Sequence, residues 1–225
     1  MKRLALFDLD HTLLPIDSDH GWGQFLCRTG RIADSASYQA SADAFYEQYK
    51  QGVLDPQAHL RFALSIIANR PAEEIEGWRQ EYLDTVIKPQ IRPQAQALVE
   101  HHRAQGDLCA IVTATNTFVA GPIAALFQVE HLLGAEGEMR NGRYTGNPQG
   151  IITFQAGKLR RIDQWLADMG LMRNDFDEIW AYSDSRNDLP MLELATHPVA
   201  TNPDPVLRQT ATERGWRVID LFPAV

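Results

Sequence analysis

The segment that decides the fold lies near the start of the chain and reads Leu4-Ala5-Leu6-Phe7-Asp8-Leu9-Asp10-His11-Thr12. Residues 4–9 form a nearly continuous apolar run, which is typical of a short strand buried on both faces of a parallel sheet. In such sheets, ligands bind beyond the carboxyl ends of the strands. Asp8 and Asp10 lie at this end. In extended backbone they would share one face, where two negative charges need a cation or a proton nearby.

Similar apolar segments recur along the chain, at Leu108–Thr113, Glu178–Ser183, Pro198–Thr201 and Trp216–Asp220. Helical patterns alternate with them, over Pro93–Gln105, Phe118–Phe127, Lys158–Met169, Asp188–Ala195 and Pro205–Arg214. This alternation predicts a doubly wound α/β fold with a mainly parallel, Rossmann-like sheet. The pair Asn141-Gly142 predicts a tight hairpin. We expect His101 and His102, on the first of these helices, to be solvated.

Residues 16 to about 88 interrupt the alternation, because they contain no convincing strand. Apolar residues at helical spacing, with Pro56 and Pro71 near helix starts, predict several helices instead. We therefore expect a core domain of residues 1–15 and 89–225, with a helical cap of residues 16–88 inserted after the first strand. Such a cap would close over the site and exclude water.

Composition excludes several classes of protein. The 225 residues contain 21 Lys and Arg against 29 Asp and Glu, a formal net charge of −8, which argues against a nucleic-acid partner. No apolar run is long enough for a membrane span or a signal peptide, so we expect a cytoplasmic protein. Cys27 and Cys109 alone do not suggest a disulfide framework. The sequence carries no signal for an oligomeric state.

A second acidic cluster, Ser183-Asp184-Ser185-Arg186-Asn187-Asp188, follows another predicted strand. Asp184 and Asp188 are four residues apart, so one could reach a metal directly while the other supports it from the next turn. Mg²⁺ favours one or two carboxylates, a phosphate oxygen and several waters. Capping of the following helix would explain one of these acids but not the whole cluster.

Groups that could bind a phosphate are predicted at two other places. Thr113 ends its strand and is followed by Ala114 near a helix start, where a hydroxyl and backbone N–H groups would form an anion site. Lys158 lies in the first turn of a helix, where an ammonium group opposes the helix dipole unless it faces an anion. Taken singly, Thr113 also fits an ordinary strand end and Lys158 a solvated side chain.

In chain order, residues 8–12, Thr113, Lys158 and the pair Asp184 and Asp188 resemble the four motifs of the haloacid dehalogenase superfamily of phosphatases. The helical insert resembles the cap of its phosphoserine phosphatase-like branch. The resemblance implies a Mg²⁺-dependent phosphomonoesterase in which Asp8 attacks phosphorus to form an aspartyl-phosphate. Asp10 would protonate the leaving alcohol and then take a proton from the hydrolytic water.

The resemblance also implies the remaining roles in the site. Metal ligands would be Asp8, the backbone carbonyl of Asp10, and Asp184. Asp188 and Asn187 would contact the metal ligands rather than the metal itself. The phosphoryl group would be held by Thr113, Ala114 and Lys158. Two alternatives use the same motifs: a phosphotransferase on this scaffold, and a non-enzymatic module that accepts a phosphoryl group.

The substrate is expected to be a small phosphorylated metabolite, phosphoserine-like or histidinol-phosphate-like. Thr113-Ala114-Thr115 replaces the Ser-Gly-Gly of typical phosphoserine phosphatases. Asp17 and Asp19 could pair with a cationic group on the substrate, or simply cap the first insert helix. Trp22 could line the pocket or belong to the core. The candidates for substrate contact are His11, Asp17, Asp19 and Trp22.

Overall fold

The computed structural model describes residues 1–222, which form a seven-stranded sheet in the order β4-β3-β2-β1-β5-β6-β7. The strands are β1 (Arg3–Phe7), β2 (Leu108–Asn116), β3 (His131–Arg140), β4 (Arg143–Gln149), β5 (Glu178–Ser183), β6 (His197–Thr201) and β7 (Arg217–Ile219). Neighbouring strands run parallel, apart from the antiparallel pair β3–β4. The predicted α/β fold with a mainly parallel sheet is confirmed.

Four helices lie in the segment after β1 that was predicted to be helical: α1 (Ser18–Arg28), α2 (Ser35–Gln51), α3 (Pro56–Ser65) and α4 (Ala72–Tyr82). A π-helical turn over Leu83–Ile87 and a 3₁₀ turn over Lys88–Gln90 follow them. The remaining helices are α5 (Pro93–Ala104), α6 (Thr117–Leu126), α7 (Ala156–Asp168), α8 (Leu189–Leu194) and α9 (Pro205–Arg214). No helix within residues 1–222 is long and apolar enough to cross a membrane.

Strand β1 is buried on both faces, as its apolar run predicts. Ala5 and Phe7 belong to one core cluster, whereas Leu4 and Leu6 belong to the cluster on the opposite face. The first cluster continues into the insert, where aromatic side chains of α1 and α4 join it. Burying each large apolar side chain contributes about 1.5–3 kcal/mol. This shared core holds α1 against the sheet, close to the end of β1.

The hairpin predicted at Asn141-Gly142 joins β3 to β4. Both residues have positive φ, 51° and 74°, as the favoured two-residue turn requires. The first part of β3 pairs in parallel with β2, and this part was absent from the prediction because Gly134 and Gly137 interrupt its apolar pattern. A Cβ at Gly137 would lie 2.9 Å from a methyl carbon of Leu64, so glycine lets α3 approach the hairpin.

The prediction for His102 was wrong. His102 is 3% exposed, with Nδ1 2.6 Å from Asp107 Oδ2 and Nε2 2.7 Å from the Tyr182 hydroxyl. It lies on the face of α5 that packs on the sheet, whereas His101 is exposed as predicted. Two adjacent histidines on a helix necessarily point in different directions, and the run alone does not say which faces inward.

Candidate active site

The predicted acidic residues meet beyond the carboxyl ends of β1 and β5. Asp8 follows β1 directly, and its backbone N–H donates to Tyr182 O on β5 (2.9 Å). Lys158 Nζ donates to Asp8 Oδ1 (2.7 Å) and to Asp188 Oδ2 (2.6 Å), and the lysine is 2% exposed. The structure therefore brings together three of the four predicted clusters, those of Asp8, Lys158 and Asp188, and the buried ammonium group of Lys158 joins them.

A tight turn before α7 aims Lys158 at these carboxylates. A Cβ at Gly157 would lie 2.0 Å from Ile152 O, so no residue with a side chain fits that position without a shift of the backbone. Burial alone would lower the pKa of Lys158, but Asp188 and Asp8 outweigh it, and the pKa lies above its usual value. The ammonium charge is thus retained in the first turn of the helix, facing anions as the sequence predicts.

Asp184 is coupled to Asp8 through a hydroxyl group that the sequence reasoning missed. Thr12 Oγ1 lies 3.0 Å from Asp8 Oδ2 and 3.2 Å from Asp184 Oδ1, and it accepts a hydrogen bond from Asp184 N (3.0 Å). Burial, followed by the charges of Asp8 and Asp188, raises the pKa of Asp184 well above its ordinary value. A cation between Asp8 and Asp184 would relieve this repulsion.

The carboxyl group of Asp10 has a different environment. Its Oδ1 accepts a hydrogen bond from Ser18 N (2.7 Å), and its Oδ2 from the Thr115 hydroxyl (2.6 Å). Burial, followed by the charge of Asp17, raises the pKa of Asp10 well above its ordinary value. A carboxyl group that holds its proton more readily is suited to act as a general acid.

Thr113 and Ala114 lie inside β2 rather than at a helix start. The strand continues to Asn116, with a register shift against β3, and α6 begins only at Thr117 with Asn116 as its N-cap. The Thr113 hydroxyl accepts a hydrogen bond from Thr115 N (3.1 Å). Thr113 and Ala114 nevertheless line the same cavity as Asp8, whereas Lys158, the third predicted phosphate-binding residue, does not.

That cavity lies between the sheet and the insert. Asp8, Asp10, Thr113 and Ala114 form its floor. Side chains from the insert complete it, including Asp17, Asp19, His20, Tyr38, Phe45, Tyr46, Tyr49, His59 and Phe62. His11 also lines the cavity, with a φ of 56°, and its buried Nε2 has no hydrogen-bond partner among the described residues. An unpaired ring nitrogen here is available to a ligand.

Asp17 and Asp19 differ in role, although both line the cavity. Asp17 caps α1, accepting hydrogen bonds from the backbone N–H groups of Asp19 (3.0 Å) and His20 (2.8 Å). Asp19 accepts one from Asn116 Nδ2 (2.9 Å), and its other oxygen lies 3.4 Å from His59 Nε2. Burial raises the pKa of Asp19, against the opposing effect of His59. His59 and Asn116 are contacts that sequence reasoning missed, since neither residue has a recognisable pattern around it.

Two predicted site residues point elsewhere. Trp22 is 2% exposed and packs among the rings of Phe25, Tyr82 and Phe118, outside the residues that line the cavity. Asn187 donates through its side chain to Tyr49 O (2.9 Å), so it contacts the insert. The structure therefore places Trp22 in the core, which was one of its two predicted roles.

Comparison with known proteins identifies the family. Residues 5–193 match the model of the haloacid dehalogenase-like hydrolases, which covers most of the chain. The chain therefore belongs to this family, and the predicted enzyme class is confirmed.

Individual relatives agree with this assignment. The chain is 40% identical over 221 residues to a protein of Neisseria meningitidis named histidinol-phosphatase, covering 98% of this chain and 99% of that protein. It is 32% identical over 222 residues to a protein of Mycobacterium tuberculosis named phosphoserine phosphatase, covering 98% and 71% respectively. The crystal structure of a Bordetella pertussis protein of unknown function superposes with a TM-score of 0.94 at 50% identity, covering 99% of this chain and 100% of that one. The predicted resemblance to the phosphoserine phosphatase-like branch is confirmed.

Proposed function

We propose that this phosphatase hydrolyses a small phosphate monoester whose alcohol carries an amino or imidazole group, with histidinol phosphate as the first candidate. The observation that carries the proposal is the charge of the cavity. Four carboxylates line it, those of Asp8, Asp10, Asp17 and Asp19, and among the described residues no Lys or Arg side chain does. A cationic leaving group would find complementary charge there.

The same observation separates the two candidate substrates. Phosphoserine carries a carboxylate besides its ammonium and phosphate groups, and that carboxylate would meet four acids and no Lys or Arg side chain among the described residues that line the cavity. Like charges 4 Å apart repel by about 4 kcal/mol at an effective dielectric constant near 20. Histidinol phosphate has no carboxylate. The name of the Neisseria relative supports this choice.

Asp8 and Asp10 are proposed to carry the chemistry. The contact with Lys158 fixes one oxygen of Asp8, as a nucleophile attacking phosphorus requires. Asp10, with its raised pKa, would donate its proton to the leaving alcohol and later accept one from water. Thr113, Ala114 and Lys158 are proposed to hold the phosphoryl oxygens.

Mg²⁺ is the proposed cofactor, and the residues present fit it. Residues 1–222 contain no group of three or more His, Cys, Asp or Glu side chains arranged around a metal position. Mg²⁺ does not require one, because it binds through one or two carboxylates, substrate oxygens and waters. Asp8 and Asp184, which both contact the Thr12 hydroxyl, and the Asp10 carbonyl would hold it. When bound, Mg²⁺ would offset the charge of these carboxylates and of the phosphate.

The test is a comparison of kcat/KM for histidinol phosphate and phosphoserine with Mg²⁺ present. We expect histidinol phosphate to be favoured by at least about 100-fold, since 1.4 kcal/mol corresponds to a factor of ten. Equal or faster turnover of phosphoserine would refute the charge argument. Asp8→Asn should abolish release of phosphate. Assays with excess alcohol should yield inorganic phosphate alone, whereas a new phosphate ester would indicate transfer.

A further inference from the structure

Helix α2 covers the cavity, and its side chains are only partly buried. Within residues 35–51, none of its side chains is fully buried, although Tyr38, Phe45, Tyr46 and Tyr49 line the cavity from above. Helices in proteins depend mainly on packing of an apolar face for their stability. Tyr38 stacks on Phe62 within the insert, and further contacts tie α2 to the sheet side of the site.

Those contacts lie at the C-terminal end of α2. Asn187 Nδ2 donates to Tyr49 O (2.9 Å), Arg186 Nη2 donates to Gln51 O, and Gln155 Nε2 donates to Gly52 O (3.4 Å). The carbonyl end of a helix carries partial negative charge, which a guanidinium group complements. Three side chains from the sheet side thus donate hydrogen bonds to backbone carbonyl groups at the C-terminal end of α2.

The fit around Gly52 is close. Gly52 has a φ of 76°, and a Cβ there would lie 2.7 Å from Arg186 Nη2, so the guanidinium group packs directly on the backbone. Gln155, whose φ is 46°, also donates to Asn187 Oδ1 (3.2 Å). Gln155 and Asn187 are therefore linked to each other as well as to the helix.

These residues belong to the loops that carry the proposed catalytic groups. Arg186 and Asn187 lie between Asp184 and Asp188 in sequence, and Gln155 lies three residues before Lys158. Tyr49, whose carbonyl group accepts the hydrogen bond from Asn187, lines the same cavity as Asp8. The position of α2 is thus tied directly to the loops that hold the carboxylates and the ammonium group.

We propose that Gln155, Arg186 and Asn187 form a clasp that holds α2 closed over the substrate, which makes them positioning residues for the reaction. The proposal rests on the phosphatase function proposed above. Weakening the clasp should raise KM for a substrate whose leaving group fills the cavity. It should affect an ester whose leaving group lacks the amino and imidazole contacts much less.

The first experiment needs no substrate. Hydrogen exchange of Arg186→Ala should be at least about tenfold faster in residues 35–52 than in the wild type, while exchange in β1 and β5 stays unchanged. Arg186→Lys, which keeps the charge, should restore part of the protection. Arg173→Ala is the control, because Arg173 pairs with Asp163 at an exposed site on the sheet side (2.7 Å). Unchanged exchange in α2, or an equal increase throughout the protein, would overturn the clasp.

The second experiment measures kinetics with histidinol phosphate and p-nitrophenyl phosphate. Arg186→Ala should raise KM for histidinol phosphate about tenfold, with kcat changed less than about threefold and p-nitrophenyl phosphate little affected. Equal losses for both esters would contradict a clasp acting through the leaving-group cavity. If the wild-type protein hydrolyses neither ester, the proposed function fails, and the exchange experiment alone then decides whether the clasp exists.

Discussion

Replacing Lys158 by Met tests the central electrostatic feature of the site. The ammonium group lies 2.7 Å from Asp8 and 2.6 Å from Asp188, and the lysine is 2% exposed. Methionine retains much of the apolar stem but removes the charge. Two carboxylates are then left buried without their cation, and we expect the variant to lose both phosphatase activity and stability.

The size of the stability loss follows from burial. Removing one partner of a buried ion pair costs about 3–5 kcal/mol, because the remaining charge is left unpaired. Domains are commonly stable by about 5–15 kcal/mol in total, so Lys158→Met should remain folded but with a much reduced margin. With a denaturant dependence of about 1–3 kcal/mol per molar urea, the unfolding midpoint should fall by at least about 1 M.

Urea unfolding in EDTA is the appropriate assay, since a bound divalent cation would offset part of the unpaired negative charge. Lys88→Met is the matched control, because Lys88 forms an exposed pair with Asp84 (2.5 Å) and exposed pairs contribute little. Lys158→Met/Asp188→Asn removes one of the two unpaired charges and should recover part of the loss. A midpoint for Lys158→Met equal to that of Lys88→Met would refute the reasoning.

Three further predictions concern catalysis and stability. Thr115→Val removes the donor 2.6 Å from Asp10 Oδ2, so kcat should fall by about tenfold or more in steady-state assays without loss of fold, and an unchanged kcat would contradict a positioning role for this hydroxyl. EDTA should abolish turnover but leave the circular dichroism spectrum intact, and added Mg²⁺ should restore activity. Burial lowers the pKa of His102 in the folded protein, despite the opposing effect of Asp107. The neutral form of His102 therefore stabilises the fold fully above the ordinary histidine pKa near 6.5, and this stabilisation is lost as the pH falls through the lower pKa of the folded state. In urea unfolding between about pH 7 and 5, His102→Gln should lose less stability than the wild type, whereas equal losses would exclude this histidine as the cause.

Buried parallel strands were the most predictable part of the fold. The segment Glu178–Ser183 matches β5, and Lys158 was predicted to face an anion because its charge opposes the helix dipole. Strand β3 was not predictable in the same way, since part of it pairs with β2 and part with β4, and glycines interrupt its pattern. The pattern of apolar residues along a strand indicates which of its faces are buried. This pattern becomes weaker where one strand pairs with two different neighbours.

Contacts between residues distant in sequence were beyond such prediction. Thr12 meets Asp184 only because the chain turns at His11, whose φ of 56° gives no signal in the sequence. The resemblance to the family predicted that Asn187 supports the metal ligands. The structure instead directs its amide to Tyr49 O, a partner supplied by the insert. Spacing along the chain indicates which residues share a loop, but not which way each side chain points.

The distribution of charge across the cavity gives the proposed substrate a direction. At one end lies Asp8, which Lys158 contacts from outside the cavity lining, and a divalent cation held by Asp8 and Asp184 would make this end suited to a phosphate dianion. At the other end, Asp17 and Asp19 have only histidines as basic neighbours among the described lining residues. An ester with phosphate at one end and an ammonium group at the other meets opposite charge at both. Reversing it would place like charges together at both ends, each costing about 4 kcal/mol at 4 Å and an effective dielectric constant near 20. Electrostatics alone therefore selects the orientation in which the phosphorus faces Asp8.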